Sequence, residues 1–206
     1  MYISVAFIII LMFLIVWLTW FIYQKFIDKQ LSKNYGLLSE RYGLAVVDSK
    51  KIGLIHYPVT EGNVKNYPVQ LGTMVNGSGK NGKVFSFVKI TCTNTPGLAI
   101  QIIKKTPANK FNYSGNLQYT GDSEFDENYI INFSNAERIV DLLNFSVKYK
   151  LLQIANVDFK GKLTLDGNLL SYIEPGLIID KRDLLRIELI LHLLCEIADG
   201  LKSDGE

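Results

Sequence analysis

Side chains that carry out chemistry are scarce in this sequence. Its 206 residues include two cysteines and two histidines, and 22 basic side chains nearly balance 20 acidic ones, for a net charge of +2. Cys92 and Cys195 are too few for a disulfide framework, and reduced thiols are typical of the cytoplasm. A near-balanced charge excludes the strongly basic surface of nucleic-acid-binding domains, so we expect no nucleic-acid partner.

Charge is absent from residues 1–23, which we predict to be a transmembrane helix. At about 1.5 Å per residue, a helix of this length spans roughly 34 Å, slightly more than the roughly 30 Å hydrocarbon core of a bilayer. A cleaved signal peptide needs a basic start and a small-residue end, whereas nothing basic precedes Ile3 and the segment ends in bulky side chains. Trp17, Trp20 and Tyr23 lie where such a helix meets the lipid headgroups.

Three lysines follow the span and none precedes it. Lys25, Lys29 and Lys33 belong to a predicted juxtamembrane helical segment, residues 24–43. Basic residues close to a span remain on the cytoplasmic side, so we expect the N-terminus outside and the soluble domain in the cytoplasm. Three lysines are too few to indicate a lipid-specific site. The predicted membrane-interface residues are Trp17, Trp20, Tyr23, Lys25, Lys29 and Lys33.

The segment Asn76–Val84, NGSGKNGKV, is one residue short of a phosphate-binding loop. Gly77, Gly82 and Lys83 have the required spacing, but Val84 replaces the Ser or Thr whose hydroxyl binds magnesium. Such a loop must also open a helix, whereas the following VFSFVKITCT alternates as a strand does. We therefore predict the long tip of a β-hairpin and no nucleotide cofactor.

Two further patterns resemble metal sites and are incomplete. Asp122, Glu124 and Asp126 have calcium-loop spacing, but positions six and twelve of that loop hold Glu127 and Phe133 instead of Gly and Glu. We predict a solvated turn there, with a packed Phe125 within it.

His192 and Cys195 lie three residues apart, whereas a zinc site needs three or four ligands. Cys92 and Cys195 are predicted to be small core residues, and no serine lies in a recognisable nucleophile elbow. We therefore predict no catalytic, cofactor-binding or metal-binding residue.

Helical and strand patterns follow the span. Residues 24–33 and 37–42 are predicted to be helical, and Gly43 is a suitable helix cap. The period then changes to two, which predicts an antiparallel β meander. Its strands are predicted at 44–47, 51–57, 69–75, 84–93 and 98–104. A polar, aperiodic loop is predicted at 106–121.

The second half mixes strands and helices. Tyr129–Phe133 is predicted as a strand, and Ser134 with Glu137 forms a capping-box pattern at the start of a helix. Ser146 is predicted to cap a further helical turn. Strands are predicted at 157–159, 162–165 and 168–173, with an Asp166-Gly167 turn before the last, and a helix is predicted at 181–201.

The last helix carries apolar residues at alternating spacings of three and four, so it is predicted to cover a sheet. Arg186 is predicted on its polar side. Charges within it argue against a second span. Residues 203–206 are a short tail.

The order of these segments resembles that of a family of short, uncharacterised, membrane-anchored bacterial proteins. The likeness rests on an N-terminal span, the juxtamembrane ERYGL, the segment SEFDENYIINFSNAERIVDLL, the hairpin GKLTLDGNLLSY and a leucine-rich last helix. Its most specific part is the turn Glu124–Asp126 before a strand and a capped helix. The resemblance implies the architecture and an inner-membrane location, and it assigns no activity, cofactor or catalytic residue.

These patterns predict an α+β fold: a transmembrane helix, then a domain at 44–202 with a strand-rich half (44–105) and a mixed half (122–202). The favoured function is a non-enzymatic interaction module whose sheet face or 106–121 loop contacts another membrane or cytoplasmic protein. A domain that senses a small ligand, and an enzyme with a site assembled from scattered polar residues, are the alternatives. Co-purification of a partner favours the module, and thermal stabilisation by a metabolite favours the ligand-sensing domain.

Overall fold

The computed structural model describes residues 2–77, 82–93, 97–107 and 118–202. These residues form an α+β fold, as predicted, with one antiparallel sheet and a set of helices. The helices are α1 (Tyr2–Tyr42), α2 (Ser123–Asn128), α3 (Ala136–Leu142), α4 (Phe145–Asn156) and α5 (Lys181–Lys202). The strands are β1 (Ala45–Ile52), β2 (Ile55–Val64), β3 (Tyr67–Asn76), β4 (Lys83–Thr91), β5 (Ile100–Lys104), β6 (Tyr129–Phe133), β7 (Lys162–Asp166) and β8 (Leu169–Pro175).

Helix α1 is a single 41-residue helix. The prediction of two separate helical pieces after residue 23 is wrong, because the helix continues through Gly36. Its second half has a buried stripe at helical spacing, formed by Ile27, Leu31, Tyr35 and Leu38, and this packing outweighs the low helix propensity of one glycine. The helix ends at Tyr42, and the next residue, Gly43, has a φ of 64°, the left-handed conformation of a glycine cap.

The eight strands form one sheet in the order β1-β2-β3-β4-β8-β7-β5-β6. Strands β1 to β4 are the predicted meander. The predicted strand at 51–57 is wrong, because the chain reverses at Gly53, whose φ is 64°, and separates β1 from β2. Strand β5 also leaves the meander, since it pairs with β6 and β7 while β8 pairs with β4.

The helices α3 and α4 are capped by residues other than the predicted ones. Strand β6 lies as predicted, but Asn135 caps α3 by accepting from the backbone N–H groups of Glu137 and Arg138. Ser134 instead donates to the carbonyl of Gly97 at 2.6 Å. Helix α4 likewise begins after Asn144 rather than at the predicted Ser146.

The β7–β8 hairpin is present, although its two-residue turn is Gly167-Asn168, one residue later than predicted. The predicted strand at 157–159 is absent from the described part of the chain, since Asp158 has a φ of 81°, which no extended strand adopts. The predicted loop at 106–121 and the hairpin tip fall partly on residues 108–117 and 78–81, outside the described ranges, as does the tail at 203–206.

The helices whose contacts are described pack on one face of the sheet, called the helix-covered face. Tyr35 of α1 hydrogen-bonds Thr73 of β3 at 2.8 Å, Arg186 of α5 donates to Glu174 of β8, and the hydroxyl of β6 Tyr129 donates to an α4 carbonyl. Laterally paired residues at the centre of this face are each at most 1% exposed: Thr60, Leu71, Val88, Tyr172, Leu163, Ile102 and Ile131. The opposite face is called the outer face.

Candidate functional site

Helix α1 is exposed from Phe7 to Trp20. One helix in the described residues is long and apolar enough to cross a membrane, and the spanning window within it is 0% buried by the rest of the protein. Trp17, Trp20 and Tyr23 are 59%, 51% and 59% exposed. Lys25, Lys29 and Lys33 are also exposed. An apolar helix that the domain leaves uncovered is suited to membrane anchoring, and the membrane-interface role of these six residues stays a prediction.

The second half of α1 is bound firmly to the domain. Asp28 accepts from the backbone N–H and the ring Nδ1 of His56 at 2.7 and 2.9 Å. Burial alone raises the pKa of Asp28, but the hydrogen bonds from His56 lower it below its usual value. The Asn34 side chain donates to the carbonyl of Ile178 at 2.9 Å. The segment suited to anchoring and the core of the domain therefore share one helix.

The outer face carries a row of polar side chains across seven strands. They follow one another as lateral partners, from β2 to β6 in the order of the sheet. This polar row consists of Glu61, Gln70, Lys89, Ser171, Thr164, Gln101 and Asn132. With strands about 4.8 Å apart, the row is about 29 Å long. Each member is the chain neighbour of a buried residue on the helix-covered face, because side chains alternate along a strand.

Hydrogen bonds order parts of the polar row. Gln70 donates to Glu61 at 2.7 Å, and the hydroxyls of Thr164 and Ser171 are 2.8 Å apart. Two open grooves lie along it. One of about 500 Å³ is bordered by Gln70 and Lys89, and another of about 580 Å³ is bordered by Gln101 and Thr164. The polar row therefore offers amide and hydroxyl donors and acceptors to a molecule lying across the sheet.

A buried ion cluster joins α5 to β8. Arg186 is 1% exposed, so its predicted position on the polar side of α5 is wrong. Its Nε and Nη2 donate to the carboxylate of Glu174 at 2.8 and 2.7 Å, and Nη2 also donates to Asp183 at 2.5 Å. Two carboxylates offset the large cost of desolvating the guanidinium. Burial alone raises the pKa of Asp183, but the hydrogen bond and charge of Arg186 bring it below its usual value.

The ion cluster is almost completely buried. Glu174 is 1% exposed and Tyr172 is 0% exposed. The Tyr172 hydroxyl donates to Glu174 at 2.7 Å, and burial raises the pKa of Tyr172 above its usual value. The side chains of the ion cluster hold one another in place, so the cluster fixes α5 on the sheet. The outer face is therefore the candidate site.

The strands on either side of the glycine-rich segment pair with each other. Strand β3 ends at Asn76 and β4 begins at Lys83, and these two residues pair with each other. Strand β4, which follows the segment, confirms the strand predicted at 84–93. A phosphate-binding loop would instead continue into a helix whose N–H groups hold the phosphates.

The acidic segment before β6 forms α2 rather than a turn. Asp122 caps this helix by accepting from the N–H of Phe125 at 3.1 Å. Asp126 accepts from the backbone N–H groups of Thr120 and Gly121. Phe125 is 0% exposed, as its predicted packing requires. These two carboxylates are therefore engaged by the chain's own donors.

The histidines and cysteines are dispersed. His192 Nε2 lies 3.1 Å from the hydroxyl of Tyr42, and burial raises the pKa of Cys195 to about 11. Cys92 and Cys195 are both buried, as predicted for core residues. Within the described ranges, no three or more His, Cys, Asp and Glu side chains are grouped to hold a metal ion.

No protein-family model and no curated protein matches the chain. Among solved structures, it is similar to the crystal structure of the mycobacterial trehalose monomycolate transport factor A, TtfA. The TM-score is 0.51 at 10% sequence identity, and the match covers 83% of this chain and 94% of the TtfA chain. At this identity the likeness concerns the fold: the two chains share an α+β architecture.

Proposed function

We propose that the protein is a non-enzymatic interaction module, anchored by one span in a bacterial inner membrane. Its outer face binds a second protein, located in the membrane or in the cytoplasm. The observation that carries this proposal is the polar row, a hydrogen-bonding surface about 29 Å long on a rigid sheet. A surface of this length matches the lateral extent of a protein partner better than that of a small substrate.

The continuous helix α1 supports the membrane part of the proposal. Because α1 is exposed from Phe7 to Trp20 and buries one face against the domain from Ile27 onward, the domain sits next to the span without a flexible linker. A partner in the same membrane would then meet the outer face at a restricted range of heights and orientations. Such restriction raises the effective concentration of the two surfaces.

The structural neighbour supports the general class. Its title describes a transport factor for trehalose monomycolate, and the fold is shared over most of both chains. We propose that the present chain serves as an accessory protein in membrane transport, binding a membrane component through the outer face. The resemblance to membrane-anchored bacterial proteins is compatible with this role.

The polar row can be tested at Gln101, which is half-buried beside the second groove. A photo-crosslinking side chain at position 101 of the full chain, activated in cells, is expected to capture one partner for mass spectrometry. Gln101→Arg should abolish co-purification of the same partner, because an unpaired guanidinium in a packed interface costs several kcal/mol. Gln153→Arg on exposed α4 is the matched control and should retain it. Equal retention by both variants would refute binding at the polar row.

A further inference from the structure

The direction in which β2 runs beside α1 determines which end of the domain faces the span. Asp28 contacts His56, and the site of a Cβ on Gly62 would lie 2.9 Å from Leu44. From Asp28 to Leu44 the chain advances roughly 24 Å at the helical rise, and from His56 to Gly62 it advances roughly 20 Å. The helix and the strand therefore run side by side in the same direction, away from the span.

The β1–β2 turn points back towards the span. Asp28 lies about 8 Å along α1 from Tyr23, and Gly53 lies about 10 Å along β2 from His56. Since His56 contacts Asp28, the turn at Gly53 reaches the level of Tyr23, at the predicted headgroup position. Lys50 and Lys51, which directly precede the turn in β1, are exposed.

The ends of β3 and β4 at Asn76 and Lys83 lie at the same end of the domain as the β1–β2 turn. Strand β3 is antiparallel to β2, and its Thr73 hydrogen-bonds Tyr35 of α1. From Thr73 the strand advances about 10 Å to Asn76, and Tyr35 is about 10 Å along α1 from Asp28. Asn76 and its partner Lys83 therefore reach the level of Asp28. Lys83 is exposed.

The end of the domain next to the span thus gathers lysines from three separate elements. Asp48 of β1 and Asp28, the latter already hydrogen-bonded to His56, are the carboxylates on the same segments. The apolar side chain of Ile52 is 39% exposed beside them. The set, called the lysine collar, consists of Lys25, Lys29, Lys50, Lys51 and Lys83.

We propose that the lysine collar binds the anionic phospholipid headgroups of the leaflet around the span. The inference rests on the proposed membrane anchor and adds a second, electrostatic contact with the bilayer. Each lysine near an anionic membrane surface contributes about fivefold to the docking equilibrium. Docking of this end of the domain fixes its tilt and thereby the direction in which the outer face is presented.

The test uses the full chain in lipid nanodiscs with an environment-sensitive fluorophore on Ile52→Cys. Cys92 and Cys195 are buried, so the label goes to the new cysteine. We expect a blue shift in discs that contain phosphatidylglycerol and none in phosphatidylcholine alone. High salt should reverse the shift, because the collar is exposed to screening ions. Lys50→Gln/Lys51→Gln should weaken docking about 30-fold.

The matched control is Lys65→Gln/Lys202→Gln, which removes two charges from the end of the domain farthest from the span. Its fluorescence emission spectra in both lipids should equal those of the labelled chain with all its lysines. A chain that stays in the discs without a lipid-dependent shift refutes docking and leaves the anchor intact. A chain that leaves the discs refutes the anchor and docking together. An equal loss of the shift in both double variants also refutes the lysine collar.

Discussion

A buried arginine connects the last helix to the sheet. The Arg186 guanidinium donates to Glu174 and Asp183, and all three residues are buried. Removing one partner of a buried ion pair leaves an uncompensated charge, which costs about 3 to 5 kcal/mol. The cost is much larger than that of an exposed charge, which is within about 0.5 kcal/mol.

Arg186→Met is therefore expected to lower the melting temperature of the full chain in detergent by roughly 10 °C. The double variant Glu174→Gln/Arg186→Met should recover part of this loss, because it removes the carboxylate that Arg186→Met leaves unpaired on β8, while Asp183 keeps its ion pair with Lys160. Arg182→Met, on the exposed side of the same helix, is the control and should melt within a few degrees of the parent. Thermal scans by intrinsic fluorescence give these values. Equal melting of the Arg182 and Arg186 variants would contradict a stabilising ion cluster.

At the scale of elements, α1 belongs to two environments. Side chains from Phe7 to Trp20 are exposed and, apart from Thr19, apolar, whereas Ile27, Leu31, Tyr35 and Leu38 are in the core. Each of these four contributes about 1.5 to 3 kcal/mol by burial. Their sum is comparable to the whole free energy of unfolding of a typical domain, about 5 to 15 kcal/mol.

Removal of residues 1–23 is therefore expected to release a folded, soluble domain, whereas removal of residues 1–43 should leave a chain that does not fold. Fractionation after expression, followed by circular dichroism and thermal melting of the soluble material, separates the two outcomes. If the shorter deletion stayed in the membrane fraction, α5 or another segment would have to be a second anchor. If the longer deletion melted cooperatively, the second half of α1 would not be part of the core.

Most element types were predictable because they depend on local periodicity. The alternation in VFSFVKITCT predicts strand β4, and Val88 and Ile90, two residues apart in it, are both fully buried. The predictions were wrong where contacts between distant segments determine the local structure. Ser134 has the local pattern of a helix cap, but the carbonyl of Gly97 from a distant segment takes its hydroxyl, so Asn135 caps instead. Gly36 lies inside α1 because packing on the sheet outweighs its propensity.

At the scale of the whole molecule, the order of the strands could not be obtained from local sequence. Strand β8 lies beside β4 and joins both halves of the chain in one sheet. The polar row depends on that order, since its members come from seven strands and form no motif along the chain. Arg186 was placed on the wrong side because helical spacing does not show that Glu174 lies opposite. The lysine collar likewise required the alignment of α1 with β2.

The orientation of the chain in the proposed membrane is the last prediction. Lys25, Lys29 and Lys33 lie just after the predicted span, and Lys50, Lys51 and Lys83 lie near the same end of the domain. Moving this end of the domain across a bilayer would therefore carry many charged side chains through the hydrocarbon core. Basic residues near a span favour the cytoplasmic side. A reporter enzyme that is active only outside the cytoplasm should therefore be inactive when fused after Lys202 and active when fused before Tyr2. A cytoplasmic fluorescent reporter should give the opposite result. An active outside-only reporter at the C-terminus would invert the topology, and it would place the outer face opposite partners on the other side of the membrane.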